Sequence, residues 1–437
     1  MPGKKTVQIA ALAAFSLLAG PTPASAQSNP NILLVIADDM GLDATTCYDV
    51  GANQATMPNL ETLCAEGLVF ENAYSAPLCS PTRASIMTGK YGFRTGVGSA
   101  VNPEADNGLS DDEKSLFDVL GQAQYSTALI GKWHLSDSPD DIDHPASLGV
   151  SEFFGIFTGG AQDYYNWTAV HNGAAAEVSG YTTSILTNRA ISWISQQDQP
   201  WFLWLAYNAP HAPFHTPPSD LHSRGDLPNS RKAIRSDRAT YYNAALEALD
   251  TEMGRLLNSI PPDEFQNTVV IFLGDNGSPN QVTGNLYGER GAKGSLFEGG
   301  THIPLVFYGP GIKPGRNEAL VNTTDLFATI AGLAGAEVRT RDSIDLWPVV
   351  QGGAGNRKYA YVEHFSDVPP RRENSHGWAI RDERFKLVSI DGLDEMLFDL
   401  EIDPFEEIDL LESGPTAEYK EVAAKLKDAY RKIRGEN

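Results

Sequence analysis

The chain has 437 residues, with 33 Lys and Arg against 56 Asp and Glu and a formal net charge of -23 at pH 7. So acidic a surface repels nucleic acid and anionic lipid, which excludes a broad phosphate-backbone partner and makes any anion site depend on a few local cations. The length suffices for a large core plus a smaller unit, and no segment beyond the N-terminus is apolar enough to span a bilayer.

Lys4 and Lys5 precede an apolar run from Val7 to about Leu18, and Pro21 and Pro23 lead into Ala24-Ser25-Ala26, a small-x-small cleavage site. Residues 1–26 therefore read as an export signal, and the mature chain is expected in the periplasm or outside the cell without stable membrane insertion. Asn31–Ala37 is a continuous apolar run of the kind buried on both faces of a sheet, and it ends in Asp38-Asp39. Met57–Gly67 predicts a helix, Leu68–Ala73 a strand, and Pro81–Thr88 a helix opened by proline. Leu116–Gln122 predicts a helix, and the strand Ser126–Ile130 runs into Gly131-Lys132-Trp133-His134. A helix over Thr182–Ser195 precedes the strand Trp201–Tyr207 and a loop from Asn208 to His211. A long helix, about Arg238 to Leu257, leads to the strand Thr268–Leu273, which ends in Gly274-Asp275-Asn276-Gly277. The strand Pro304–Tyr308 and a helix over Thr323–Ala334 follow.

Strands alternating with helices predict an α/β fold, a large mostly parallel central sheet flanked by helices. Polar clusters at the carboxyl ends of its strands predict one site assembled there. After Gly352 the pattern changes to short strands at Tyr359–Glu363, Gly377–Ile380, Phe385–Ser389 and Met396–Leu400, then a charged amphipathic helix over Ala417–Arg434. These predict a smaller C-terminal antiparallel sheet with a covering helix over residues 353–437, after a main domain over 27–352.

Asp38, Asp39, Asp275 and Asn276 form an all-oxygen set suited to a hard cation, calcium or magnesium. Either pair alone also fits turn residues that cap local backbone. Lys132 and His134 share a face if extended geometry continues past their strand. His211 lies between Pro210 and Pro213, with His215 and His222 near enough to compete for its role. Lys293 fits a solvated loop lysine or an ammonium directed into a polar pocket. Three cysteines are an odd count for an exported chain. If Cys79 is modified, Cys47 and Cys64 remain, joined or free, since sequence separation does not fix their distance.

The run Cys79-Ser-Pro-Thr-Arg83-Ala-Ser-Ile-Met-Thr-Gly89 resembles the maturation signal of the type I sulfatases. Gly131–His134, Asn208–Phe214, Gly274–Gly277 and Gly291–Gly294 occur in the order of that family, so the chain resembles a formylglycine-dependent sulfatase of the arylsulfatase family in the alkaline phosphatase superfamily. The resemblance implies that residues 27–352 are the catalytic domain and that a formylglycine-generating enzyme oxidises Cys79 to an aldehyde. It further implies that the aldehyde hydrate attacks the sulfate ester of a small aryl or sugar sulfate. It implies calcium held by Asp38, Asp39, Asp275 and Asn276, with Arg83 steadying the hydrate. Lys132, His211 and Lys293 would hold the sulfate and its departing oxygen, and His134 would assist proton transfer. Alternatives are a formylglycine-dependent phosphonate monoester hydrolase or phosphodiesterase and, more remotely, a non-enzymatic anion-binding protein. His302 departs from the commoner family pattern and carries no implied role. Tyr164, Tyr165, Trp167, His171 and His222 are expected in loops, as candidates for the leaving-group pocket.

Overall fold

The computed structural model describes residues 29–103, 106–366 and 376–436; the export-signal reading of residues 1–26 falls outside them. The first apolar run forms β1 (Asn31–Asp38), buried along its whole length. Its side chains divide by the two-residue period of a strand: Ile32, Leu34 and Ile36 enter one core, Leu33, Val35 and Ala37 the other. This two-sided burial fixes β1 at the middle of the sheet.

The further strands of that sheet are β2 (Leu68–Tyr74), β3 (Ser126–Gly131), β4 (Glu152–Gly155), β5 (Asn166–His171), β6 (Ala174–Ser179), β7 (Trp201–Pro210), β8 (Thr268–Gly274), β9 (Leu305–Tyr308) and β10 (Gly315–Asn322). Their order is β10-β2-β9-β8-β1-β7-β3-β4-β5-β6. The stretch β8-β1-β7-β3-β4 is parallel throughout. β9 lies antiparallel between β8 and β2, and β4-β5-β6 continues as an antiparallel edge. Helices Cys79–Thr88, Leu116–Gln122 and Asp325–Leu333 pack into one face, and Pro58–Glu66, Thr182–Ile194 and Arg238–Ser259 into the other. The α/β expectation with a mostly parallel sheet is met.

Four strands, β4, β5, β6 and β10, escape the sequence reading: β4 has four residues, β6 and β10 are the sheet's edges, and β5 mixes exposed with buried residues instead of forming an apolar run. β6 has largely exposed residues and β10 opens with the polar Gly315-Arg316-Asn317-Glu318, so neither offers an apolar run. Two boundaries also shift. β7 runs on to Pro210, so Asn208–Pro210 is strand rather than loop, and its register slips where Asp38 comes opposite Pro210. The proline-led helix begins earlier, at Cys79, leaving Pro81 in its first turn. Proline is tolerated there because the first N–H groups of a helix have no intrahelical acceptor.

The C-terminal sheet is β11 (Ala360–His364), β12 (Gly377–Arg381), β13 (Phe385–Ile390) and β14 (Met396–Asp399), antiparallel throughout. Alternation again sorts its faces. Ala379, Val388 and Phe398 meet Tyr74, Leu296 and Phe297 of the main body. Ile380, Leu387 and Leu397 meet Ala423, Leu426 and Ala429 of the covering helix Ala417–Arg434. Cys47 and Cys64 are joined by a disulfide.

A buried charge group sits at the seam between the sheets. Lys386 Nζ of β13 lies 2.8 Å from Glu298 and 2.9 Å from Glu406. Burial opposes charge on both carboxylates. Lys386, His302 and Arg381 hold Glu298 well below the usual range, whereas burial pushes Glu406 up to about 7, so Glu406 is the one that takes up a proton. His302 belongs here, 2.8 Å from Glu298 and 2.6 Å from the Glu71 carbonyl oxygen. It is a seam residue.

Lys386→Met leaves two buried carboxylates without their ammonium and should cost about 3–5 kcal/mol of stability. A carboxyl whose folded pKa is raised loses stability as pH climbs from the unfolded value toward the folded one. The loss in K386M should therefore be larger at pH 8 than at pH 5.5 in urea melts. Equal stability of variant and parent at both pH values would contradict the assignment.

Candidate active site

The parallel register of β8-β1-β7-β3 brings their carboxyl ends side by side, and the polar residues that follow them converge. Asp38 ends β1, and the chain then turns through Asp39 at φ 73°. That conformation costs a residue with a Cβ about 1–2 kcal/mol. It is offset by the Asp39 N–H donating to Asp275 Oδ1 at 2.9 Å and by the Tyr242 hydroxyl donating to the Asp39 carbonyl at 2.7 Å. Asn276 Nδ2 donates to Asp39 Oδ1 at 2.9 Å, so the turns after β1 and β8 are tied together. Gly277 follows because a Cβ there would lie 1.8 Å from the Gly299 carbonyl oxygen.

Cys79 opens its helix and Arg83 sits one turn on, which places both on one face. The Arg83 guanidinium donates to Asp275 Oδ2 at 2.8 Å and to the Lys132 carbonyl at 3.0 Å, and lies 3.8 Å from Asp38. Lys132, just past β3, reaches both Asp38 oxygens at 3.0 and 2.7 Å. At Gly131 a Cβ would fall 1.8 Å from the Ala206 carbonyl, so only glycine lets the chain pass β7 this closely before Lys132. His134 Nδ1 lies 3.3 Å from Cys79 Sγ, and its Nε2 lies 3.0 Å from the Val101 carbonyl. A carbonyl only accepts, so Nε2 carries the proton and Nδ1 faces Cys79 as an acceptor.

The electrostatics follow from burial. Desolvation, then Lys132 and Arg83, push the His134 imidazole well below its ordinary range and keep it neutral. Burial opposes ionisation of the Cys79 thiol, but Lys132 and Lys293 outweigh it and lower its pKa; the helix N-terminus acts in the same direction. Asp39 is likewise opposed by burial and nonetheless held low by Lys293 and His211. Asp275 is pushed up, by burial first and by Asp38 second.

Oxygens of Asp38 and Asp275 and the Cys79 sulfur lie within 4.8 Å of one another, as do ligand atoms of Asp38, Asp39 and His211. Asn276 Oδ1 is buried without a hydrogen-bond partner among the described residues. A buried orphan oxygen beside close-set carboxylates fits a hard cation such as calcium, which takes oxygen ligands. The charge balance agrees. Asp38, Asp39 and Asp275 are matched by Arg83, Lys132 and Lys293, so a divalent ion would leave the site positive and ready for an anion.

His211 and Lys293 form the open side. Lys293 Nζ is paired with Asp39 Oδ1, and His211 Nε2 lies 3.8 Å from Asp39 Oδ2. The loop carrying Lys293 is clipped to the Asp275 segment by Lys293 N–H to the Ser278 carbonyl and Ala292 N–H to Asn280 Oδ1. Asp39, His211 and Lys293 line a cavity of about 510 Å³, within the roughly 300–1,000 Å³ usual for small-molecule sites. The other two histidines do not compete. His215 is stacked on Tyr164 and lowered by burial to about 4, and His222 Nδ1 accepts from the Arg224 N–H.

All ten sequence-predicted site residues thus meet in one connected network. The expected leaving-group residues do not line that cavity. Tyr164 is buried behind it, its hydroxyl 2.7 Å from the Asn208 and His211 carbonyls, and Tyr165 donates to the Thr216 carbonyl. Trp167 and His171 lie on β5 rather than in a loop, packed against Phe154. The cavity wall that the sequence reading missed comes from Arg231, Arg235 and Arg238. The available signal was the cluster of three arginines within eight residues; Arg231 and Arg235 lie one turn apart on a short helix and Arg238 opens the next.

A family profile described as Sulfatase matches residues 30–336. N-acetylgalactosamine-6-sulfatase of Canis lupus familiaris is 32% identical over 376 residues, 77% of this chain and 68% of that protein. Arylsulfatase A of Homo sapiens is 31% identical, over 74% of this chain and 68% of that protein. Among solved structures, a crystal structure of Ps i-CgsB superposes with TM-score 0.78 at 28% identity, over 93% of this chain and 92% of that one.

Calorimetric titration with calcium should show one tight site in the parent protein. Asp275→Asn removes a charged ligand and should weaken that binding by more than about tenfold. Unchanged calcium affinity in D275N would remove Asp275 from the ligand set.

Proposed function

The chain belongs to the sulfatase family, and on that premise we propose that it hydrolyses aryl or sugar sulfate esters through a formylglycine made from Cys79. The observation that carries the reading is the place of Cys79: buried at a helix N-terminus, facing the acceptor nitrogen of His134, with Asp38 and Asp275 beside it. An inert core cysteine has no need of that surrounding charge.

Oxidation by a formylglycine-generating enzyme would supply a hydrated aldehyde with two hydroxyls on one carbon, one to attack sulfur and displace the ester's alcohol, and one whose deprotonation breaks the carbon–oxygen bond to sulfate and restores the aldehyde. Calcium held by Asp38, Asp39, Asp275 and Asn276 would supply Lewis-acid stabilisation of charge on the sulfate oxygens. The remaining work falls to the chain's own groups. His134, neutral and fixed by Val101, presents Nδ1 to the side chain at position 79 as a proton acceptor. Arg83 spans Asp275 and the Lys132 carbonyl and so fixes the helix start against the strand ends. Lys132 and Lys293 hold positive charge where the sulfate would sit, raised above the ordinary lysine range by Asp38 and Asp39 against the cost of burial. His211 donates Nδ1–H to the Ala212 carbonyl, 2.6 Å away, which turns Nε2 toward the cavity, where the doubly protonated ring would donate to the departing oxygen.

The names of the canine and human relatives support sugar and aryl sulfates respectively. Export is supported by the signal pattern in residues 1–26 and by the Cys47–Cys64 disulfide, which suits an oxidising compartment. Among the described residues no helix is long and apolar enough to cross a membrane.

Two measurements test the reading together. Conversion of Cys79 should lower the intact mass by about 18 Da. Cys79→Ser should still bind sulfate but lose at least about 1,000-fold in kcat on 4-nitrophenyl sulfate. Active protein with an unmodified thiol, or a C79S variant at parental kcat, would sink it.

A further inference from the structure

The chain carries 33 Lys and Arg against 56 Asp and Glu, and many of its cations are spent on carboxylates, as in Lys90–Glu113, Arg224–Glu247, Arg316–Glu71 and Lys427–Glu395. The wall of the active-site cavity breaks that pattern. Arg231 and Arg235, one turn apart on the short helix Arg231–Ser236, and Arg238, at the start of the long helix Arg238–Ser259, all line it. None of the three guanidinium groups makes an ion pair or a side-chain hydrogen bond among the described residues, whereas nearby Arg224 and Arg255 are each bound to a glutamate. The carboxylate between them, Asp237, is turned to cap the long helix, accepting from the Thr240 N–H and hydroxyl. The segment is held in place: Ser230 Oγ caps the short helix at Ala233 N–H, and the Tyr241 hydroxyl donates to the Pro228 carbonyl.

The same cavity is lined by Asp39, His211 and Lys293, and Asp39 is already committed to Lys293. Three arginines without a carboxylate partner therefore face the space beyond the sulfate to be cleaved, in a chain whose formal net charge is -23. Free guanidinium groups give planar, two-pronged donation suited to sulfate or carboxylate. A neutral phenol or an unsubstituted sugar would leave them without any partner but water.

We propose that Arg231, Arg235 and Arg238 form a second anion subsite, and that the substrate carries another sulfate or carboxylate on its leaving group besides the ester that is hydrolysed. This rests on the sulfatase reading and extends it to a substrate class: multiply anionic compounds, with polyanionic carbohydrate the natural form. The arginines act on the distal anion and take no part in the displacement at sulfur. A monosulfated aryl ester should then be a poor substrate, bound by half of the site.

The test separates binding from turnover. Calorimetry with non-hydrolysable benzenesulfonate, benzene-1,3-disulfonate, naphthalene-2,6-disulfonate and 3-sulfobenzoate measures whether a second charge adds affinity and whether sulfonate or carboxylate is preferred. At least one doubly charged probe should bind the parent protein about tenfold tighter than benzenesulfonate, the sum expected from several exposed charge pairs. That advantage should fall to about twofold or less in Arg231→Gln/Arg235→Gln/Arg238→Gln (R231Q/R235Q/R238Q) and shrink in R235Q alone, which perturbs a single exposed side chain. In turnover, the ratio of kcat/KM for 3-sulfonatophenyl sulfate over phenyl sulfate should drop in the same order. Equal affinity of the parent for single and double charges, or an advantage that survives the triple substitution, overturns the subsite. Disulfonate selectivity without sulfate release from either ester would count against the hydrolase reading and for the subsite.

Discussion

The constraint on which the structure turns is the burial of three carboxylates, Asp38, Asp39 and Asp275, at the ends of neighbouring parallel strands. Alone they could not all ionise in a low-dielectric interior. They are compensated by Arg83, Lys132 and Lys293, each from a different segment, so the charge network is also what ties those segments together. Removing one partner of such a buried pair costs far more than a surface pair is worth, because the other charge stays behind without solvent. The arrangement therefore demands that the sheet, the Cys79 helix and the Lys293 loop be assembled together.

The same demand explains the stiffness of the surroundings. Tyr242 from the long helix holds the Asp39 carbonyl, and Ser278 Oγ receives the Gly41 N–H. Gly277 lets the Asp275 turn touch the Glu298–Thr301 helix, and Glu298 of that helix is the residue on which Lys386 of the C-terminal sheet is anchored. Packing and charge thus run continuously from the second sheet to the strand ends of the first. The C-terminal sheet supplies none of the ten site residues. It braces the element behind them.

Charge is distributed by the same logic on the outside. A chain this acidic admits an anion where cations are left unspent, and the arginine wall beside His211 and Lys293 is one such place. A second cavity, of about 680 Å³ near the seam, is lined by Glu71, Glu298, Glu383 and Glu401 and has the wrong sign for a sulfate.

By itself the sequence determined the parallel core, the small antiparallel sheet and the polar pairs Asp38-Asp39 and Asp275-Asn276 at strand ends, because two-sided apolar runs and strand-end motifs are local patterns, whereas Cys79, Arg83, Lys132, His134, His211 and Lys293 were singled out by family resemblance. β6 and β10 were illegible since edge strands need no apolar run, and the pairing of Cys47 with Cys64 depended on a distance that spacing does not encode. Only the tertiary structure decided which histidine reaches the site, why His302 does not, and that Tyr164 stands behind the cavity rather than in it. Only it set Arg231, Arg235 and Arg238 opposite Lys293. Each of those outcomes depends on how segments remote in the chain pack against one another, and side-chain direction across such a contact is fixed by the packing, not by the neighbours in sequence.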